Sequence, residues 1–426
     1  MNKIIIAGMV SLCSLLGYSQ QLLTLEECCN MAIANNKQVK LSDLSVQKAQ
    51  LEVKNMKSNF LPKLSATGGY LYADKNFSAE LIPTVAATLN LNNTYTGGVQ
   101  IEQPLFGGGK LLAAKKMAQS GLTIAGLNKE KTDSDIRFET EKAYWNVVKA
   151  NELQKVSAQY VETVDELYRS VENFHRNGMA SQNELLKVKV KVHEAQLSQK
   201  RSENAVRLAK MYLCHLMGMP LNEAFNVTDH LSDQTQPFTR NDLSVENRYE
   251  YKILTENIQL KSQEIKAVRS NYLPQIGLVA GYNYMNGVKL NGTKLINDDL
   301  FAIMISVKIP LFHWGEGIRK IKATQLSQQT AVVQRNELAE KIQLEIAQAV
   351  NMLDESRLEV ELTESAYNEA TESLRESKQN YETGMETLVN YMDTQSTWQK
   401  SWAEFVSAQV NYRIAKANYQ KVTGQK

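Results

Sequence analysis

Proline is scarce in this chain. Only seven occur in 426 residues, at positions 62, 83, 104, 220, 237, 274 and 310. Residues 105–219 and 311–426 contain none, where average usage of ~5% would place about six in each. A proline inside a helix costs ~3 kcal/mol, so the two blanks predict two very long helical tracts. Cysteine is equally sparse. The four (Cys13, Cys28, Cys29 and Cys214) are too few for a disulfide framework. One-signed charge is missing as well: 48 Lys and Arg against 46 Asp and Glu leave +2, with no long basic block. That excludes nucleic-acid binding, and with 43% apolar residues it also argues against disorder. Beyond the first twenty residues no apolar run reaches the 18 that a membrane-spanning helix needs.

What is present begins with an export signal. In residues 1–20, Lys3 precedes the apolar run Ile4–Leu16, and Gly17-Tyr18-Ser19 supplies small residues before a break. The pattern predicts a secreted chain. Landmarks then recur in order. Phe60-Leu61-Pro62 returns as Tyr272-Leu273-Pro274, and Pro104-Leu105-Phe106 as Pro310-Leu311-Phe312. Gly178-Met179 returns as Gly384-Met385, and Gly218 as Gly424. The last three share an offset of 206 residues, which predicts a tandem duplication. The first repeat occupies 21–220, a linker 221–243 and the second repeat 244–426. Each repeat reads as a helix (about 24–58 and 244–271), a β-hairpin (63–104 and 275–309), a long helix, and a returning helix after a tip near 178 or 384.

The hairpin strands alternate with period two. Ile276, Leu278, Ala280, Tyr282 and Tyr284 share one face, and so do Phe301, Ile303, Ile305, Val307 and Ile309. Tyr95, Gly97, Val99 and Ile101 follow the same rhythm, and Leu64, Ala66, Gly68, Tyr70 and Tyr72 more weakly. Runs of 9–11 residues suit a tilted strand crossing a bilayer. Tyr70, Tyr72, Tyr95, Tyr282, Tyr284 and Phe301 gather at the turn end. Phe60, Phe106, Tyr272, Phe312 and Trp314 gather at the other. Two aromatic girdles flanking an apolar band mark a transmembrane barrel. The stretches at about 73–93 and 286–299 read as long polar loops. Soluble hairpins packed on helices are the competing reading, which makes the chain a soluble periplasmic coiled-coil scaffold.

Residues 111–177 would form about 100 Å of helix, too polar to lie in lipid. Leu153, Tyr160, Val164, Leu167, Val171 and Phe174, then Leu185, Val188, Val192 and Ala195, fall at coiled-coil spacing. Tyr391, Trp398, Phe405, Tyr412 and Tyr419 form a seven-spaced aromatic seam. Four strands per chain leave two unpaired edges, and unsatisfied backbone groups in hydrocarbon cost several kcal/mol each. Closed membrane barrels start at eight strands, so several copies must pool their strands: two copies make eight and three make twelve.

The paired Phe/Tyr-Leu-Pro and Pro-Leu-Phe boundaries, the Gly-Met breaks followed by Ser181 or Thr387, and the closing Gly218 and Gly424 resemble the TolC-like outer-membrane efflux protein family. The resemblance implies a mixed α and β membrane protein. In it, a homotrimer pools four strands per chain into a twelve-stranded barrel continuous with a periplasmic α-helical tube. It implies a periplasmic adaptor (membrane fusion) protein and an inner-membrane transporter as partners, and a passive export duct for efflux or type I secretion. By the same resemblance, Gly178, Met179, Ser181, Gly384, Met385 and Thr387 would meet the adaptor. Asn390 and Asp393 match two family aspartates that ring the closed aperture, of which only the second is kept. Tyr381 matches a tyrosine that helps hold it shut, while the charged partner expected near it is replaced by Glu386.

Enzyme signals are poor. Gly107-Gly108-Gly109-Lys110 lacks the spacing of a phosphate loop and reads as a strand-to-helix turn, like Trp314-Gly315-Glu316-Gly317. His175, His193, His215, His230 and His313 are scattered, and no cofactor or metal site is expected. Cys28 and Cys29 would form a vicinal disulfide or none.

Overall fold

The computed structural model describes residues 21–75, 77–82, 85–90, 93–229, 231, 244–291 and 293–424. The expected export signal and residues 230 and 232–243 of the expected linker lie outside the described residues. In the first half, β1 (Gln21–Leu23), α1 (Leu25–Asn35) and α2 (Lys37–Ser58) precede four strands. These are β2 (Lys63–Leu71), β3 (Phe77–Ile82), β4 (Val85–Asn90) and β5 (Thr94–Phe106), followed by α3 (Lys110–Arg176) and α4 (Gln182–Met217). The second half holds β6 (Phe225–Val227), α5 (Tyr249–Ser270), β7 (Gln275–Leu290), β8 (Thr293–Lys308), α6 (Glu316–Glu382) and α7 (Leu388–Val422). Both proline-free blanks are filled as expected: α3 and α6 are each 67 residues long.

The chain divides into two compact units, and each draws on both halves of the sequence. One comprises Met1–Lys40, Thr132–Ser244 and Gln343–Lys426. Its main core packs Tyr144, Val147 and Val148 of α3 against Leu213, Cys214 and Met217 of α4, closed by Leu23 and Phe225. There β1 pairs in parallel with β6. The Tyr144 hydroxyl accepts from Asp229 N at 3.3 Å and donates to Leu23 O at 3.4 Å. The seams are buried too. Val164, Val171, Val188 and Ala195 are at most 1% exposed, and Tyr391, Trp398, Tyr412 and Tyr419 at most 7%.

The other unit comprises Leu41–Lys131 and Val245–Ile342. Its antiparallel sheet runs β2-β5-β7-β8, and β4, itself paired with β3, meets the far end of β7 beyond β5. Four expectations are corrected. The stretch 73–93 is not simply a loop, because it contains the β3–β4 hairpin, held where Asn291 N donates to Thr88 O at 2.9 Å. Nor is 286–299 a loop: β7 runs to Leu290 and β8 starts at Thr293, each strand 16 residues long. Gly287, at φ +105°, sits in the register shift that lets the ladder carry on.

The expected helix at 24–58 is likewise two helices. Asn36 takes an extended conformation (φ −63°, ψ 134°); its Nδ2 donates to Leu216 O at 2.9 Å and its Oδ1 accepts from Gln38 N at 2.8 Å. An asparagine that caps the next helix while tied to a distant carbonyl interrupts the rod. The expected helix at 244–271 begins later: Arg248, extended at φ −68° and ψ 135° and without a side-chain capping bond, separates a 3₁₀ turn at Val245–Asn247 from α5.

Candidate functional site: helix-hairpin tips and a two-faced sheet

The returns of the two long helices are built alike. Gly178 ends α3 at φ +74° and Gly384 ends α6 at φ +75°. Met179 N donates to Phe174 O and Met385 N to Asn380 O, both at 2.8 Å. A left-handed residue followed by this wide backbone bond satisfies carbonyls that a helix end would otherwise leave open. Ser181 then caps α4: its Oγ accepts from Glu184 N at 3.2 Å, and Ser181 N donates to the Glu184 carboxylate at 2.7 Å. These bonds from the Ser181 backbone and hydroxyl hold the Glu184 carboxyl below the usual range. Thr387 caps α7 by accepting from Asn390 N at 3.3 Å, without a reciprocal carboxylate because the third helical residue is Asn390. Met179 and Met385 stand out into solvent, 69% and 74% exposed.

The two hairpins meet just behind their tips. Leu167, Val171 and Val188 of the first pack against Leu388, Tyr391 and Met392 of the second, with Tyr381 at the margin. Tyr381 stacks on Tyr391, ring centroids 5.2 Å apart and planes 20° from parallel. Burial raises both phenol pKa values, and the nearby Glu184 charge adds to the effect on Tyr381. Lys378 and Glu166 tie the hairpins at 3.5 Å. Asn390 and Asp393 are exposed and Glu386 is half-buried. Asp393 favours the charged form of Lys191 on α4, whose ammonium is held mainly by Glu194 at 3.0 Å. Tyr391 belongs to the expected aromatic seam, but its role as the partner of Tyr381 was missed. The stack keeps the same antiparallel register as Tyr367 on Phe405 farther along α6 and α7, a pairing between helices that the sequence of either alone does not show.

The sheet has two chemically distinct faces, aligned across all four long strands. Val99 of β5 lies opposite Ala66 of β2 and Tyr282 of β7, and Tyr282 lies opposite Phe301 of β8. Ile101, Leu64, Ala280 and Ile303 form the next such row. The intervening rows bring Ser65, Gln100, Gly281 and Ala302 together on the other face. At the turn end, Tyr70 packs on Tyr95 at 5.1 Å and donates to Asn93 Oδ1 at 2.5 Å, while the Tyr282 hydroxyl donates to Asp299. At the other end, Phe312 meets Trp314 at 4.9 Å and Tyr272 meets His313 at 5.9 Å. Tyr70, Tyr72, Tyr95, Tyr282, Tyr284 and Phe301 are 42–65% exposed, and Phe60, Phe106, Phe312 and Trp314 are 39–82% exposed. Asp299 and His313 are partners of these exposed aromatic residues that the aromatic pattern alone did not flag.

Other candidates resolve without chemistry. Gly108 and Gly109 form a positive-φ turn into α3, and Trp314-Gly315 does the same before α6. Cys28, Cys29 and Cys214 are free and buried. Burial pushes the thiols of Cys28 and Cys29 up to about 12 and about 11, far from reactive thiolates. Among the described residues no cluster suits a metal ion, and no helix is long and apolar enough to cross a membrane.

With this geometry described, comparison with known proteins gives concordant matches. The model of a family described as "Outer membrane efflux protein" matches residues 28–219 and 254–425. "Proteases secretion protein PrtF" of Dickeya chrysanthemi is 19% identical over 416 residues, 95% of this chain and 88% of that protein. "Outer membrane protein OprJ" of Pseudomonas aeruginosa is 19% identical over 402 residues, 92% of this chain and 82% of its own. The fold is also that of the Campylobacter jejuni CmeC outer membrane channel, with TM-score 0.77, 18% identity, and 94% of this chain and 85% of that one covered.

Proposed function

The chain belongs to the outer membrane efflux protein family, and on that premise we propose that it works as a homotrimer whose three sheets close one twelve-stranded barrel. It is an outer-membrane channel for efflux or secretion, resident in the outer membrane and extending into the periplasm. The count of three follows the family resemblance, and the observation that carries the pooling of strands is the four-stranded β2-β5-β7-β8 array. It has one apolar face in continuous register, and β2 and β8 have no neighbour on their outer sides among the described residues. Backbone groups on those sides face hydrocarbon unless another copy supplies a strand, at a cost of several kcal/mol per unsatisfied group. Four strands fall short of the eight that the smallest closed barrels use.

In this reading the 21–220 and 244–426 repeats arose by duplication and give each subunit two strands and one long helical hairpin apiece. The apolar face meets lipid, and the two aromatic clusters sit at its polar boundaries. Substrate passes without chemistry in the wall. Gly178, Met179, Ser181, Gly384, Met385 and Thr387 form the surface for a periplasmic adaptor, which couples the duct to an inner-membrane transporter. Asp393, brought to the axis by three subunits, gives the aperture its cation preference, and the Tyr381–Tyr391 stack ties α6 to α7 behind the second tip. The name of PrtF points to a protein cargo and that of the family to efflux, and the duct geometry suits either.

Detergent purification followed by mass measurement and planar-bilayer recording tests this reading. Three chains per particle and a cation-selective conductance that falls in Asp393→Asn are expected. A stable monomer without conductance would sink the channel; unchanged selectivity in the variant would remove Asp393 from the aperture.

A further inference from the structure

The helix ends adjoining the sheet carry charge out of proportion to the chain. The first ten residues of α3 hold Lys110, Lys115 and Lys116 and no acid. Those of α6 hold Arg319, Lys320 and Lys322 against Glu316. The last ten of α5 hold Lys261, Lys266 and Arg269 against Glu264, and those of α2 hold Lys54 and Lys57 against Glu52. This is a strongly basic belt in a chain whose net charge is only +2. The start of α3 is the anomaly within it, because cations at a helix N terminus oppose the macrodipole by roughly 0.3–1 kcal/mol each.

A cavity of about 250 Å³ opens inside this belt, lined by Gly108, Gly109, Lys116, Gln263, Lys266 and Arg269 among others. Elsewhere in the belt Lys261 pairs with Glu264 at 2.8 Å, Lys320 pairs with Glu316, and Arg319 donates to Trp314 O at 3.0 Å. Among the described residues Lys116, Lys266 and Arg269 have no such partner, and neither have Lys110, Lys115 or Lys322 of the belt, but the exposed Lys116, Lys266 and Arg269 are the ones that share the cavity. Gln263 adds a buried carboxamide oxygen without a hydrogen bond, an acceptor that a headgroup hydroxyl would satisfy and a phosphate would not. Gly108, at φ +61°, presses the turn against the end of α5: a Cβ there would lie 2.7 Å from Leu273 Cβ and 2.9 Å from Ser270 O. At Gly109 nothing comes within 4 Å of the equivalent point, which leaves the cavity floor open. Leu112 and Leu273 line the same cavity, 53% and 40% exposed, and give it an apolar lip. Three unpaired cations beside an apolar lip, next to the Phe106 end of the sheet, suit a ligand that is anionic at its head and greasy behind it.

We propose that this cavity binds the headgroup phosphate of an anionic phospholipid from the leaflet facing the periplasm. Lys116, Lys266 and Arg269 hold the phosphate, and Leu112 and Leu273 pack beside the start of the acyl chains. Charge-assisted bonds to phosphate are about twice as strong as neutral ones, and the bound anion reverses the unfavourable field at the start of α3. The inference rests on the membrane residence assigned above.

Native mass spectrometry of the full-length protein in non-ionic detergent tests it, with phosphatidylglycerol or phosphatidylcholine added. Retention of phosphatidylglycerol is expected at about tenfold lower lipid concentration than phosphatidylcholine. The preference should be lost in the Lys116→Gln, Lys266→Gln, Arg269→Gln triple variant and kept in a Lys54→Gln, Lys57→Gln control. Equal retention of the two lipids by the unmodified protein overturns the proposal without recourse to any variant, as does an undiminished preference in the triple variant. Complete displacement of phosphatidylglycerol by inorganic phosphate also overturns it, by assigning the cavity to the free anion. If the proposal fails in a protein that still purifies as a trimer from the outer membrane, the channel reading is untouched; absence from that membrane would undo both.

Discussion

At the scale of single residues, the glycines separate two kinds of constraint. Gly178 and Gly384 need the left-handed conformation but have open space where a Cβ would stand. An L residue there pays only for backbone, about 1–2 kcal/mol. Gly108 needs the conformation and the space, since its Cβ would collide with Leu273 and with the Ser270 carbonyl. Gly178→Ala should therefore lower stability by about 1 kcal/mol, and Gly108→Ala by clearly more, read as the order of the two melting temperatures in detergent. Equal losses would mean that the Ser270–Leu273 segment yields freely. The cysteines teach the complementary lesson. Their spacing left Cys28 and Cys29 free to pair or not; in the structure they are free thiols that diverge, Cys28 into the core with Cys214 and Cys29 toward α3, its Sγ 3.9 Å from Arg137 O.

At the scale of elements, what was legible followed from local chemistry. Proline blanks fixed α3 and α6, Gly-Met breaks fixed the tips, and period-two alternation fixed the faces of β5, β7 and β8. What was not legible depended on distant partners. Asn36 breaks a helix because Leu216, 180 positions on, accepts its amide. The β3–β4 hairpin exists beside Asn291, and β7 continues past polar residues because Gly287 absorbs a bulge against Asn93. The tips divide the same way: the caps were local and readable, whereas the Tyr381–Tyr391 stack joins two helices. The structure also shows where a test of the adaptor surface belongs. Ala180 is half-buried against the Leu167–Tyr391 cluster, so a charge there would disturb packing. Met179 is 69% exposed and bears no such load. Met179→Glu should leave folding and subunit mass unchanged but abolish export in cells. Ser181→Ala should cost about 1 kcal/mol of local stability and weaken export less than Met179→Glu. Normal export by Met179→Glu would move the contact away from the first tip.

At the scale of the whole molecule, the decisive property is which sheet face meets hydrocarbon, and adjacent residues of β8 can read it. Ile303 and Met304 are both largely exposed in the single chain, 64% and 57%. Composition does not separate them, since both are large and apolar. Register does. Ile303 lies opposite Ala280, in the row that continues through Ile101 to Leu64, whereas Met304 lies opposite Val279, whose own partner on β5 is Glu102. A lysine on the lipid face of a barrel costs about 2–4 kcal/mol near the midplane, while one on the lumen face remains in water. Ile303→Lys should therefore deplete the protein from the outer membrane, measured by fractionation and by the yield of the oligomer. Met304→Lys should assemble at close to normal yield and shift the conductance toward anions, because each of the pooled subunits adds a positive charge to the lumen. Equal tolerance of the two substitutions would show that neither face touches lipid, and the open strand edges would then need a different partner from a second copy of the chain.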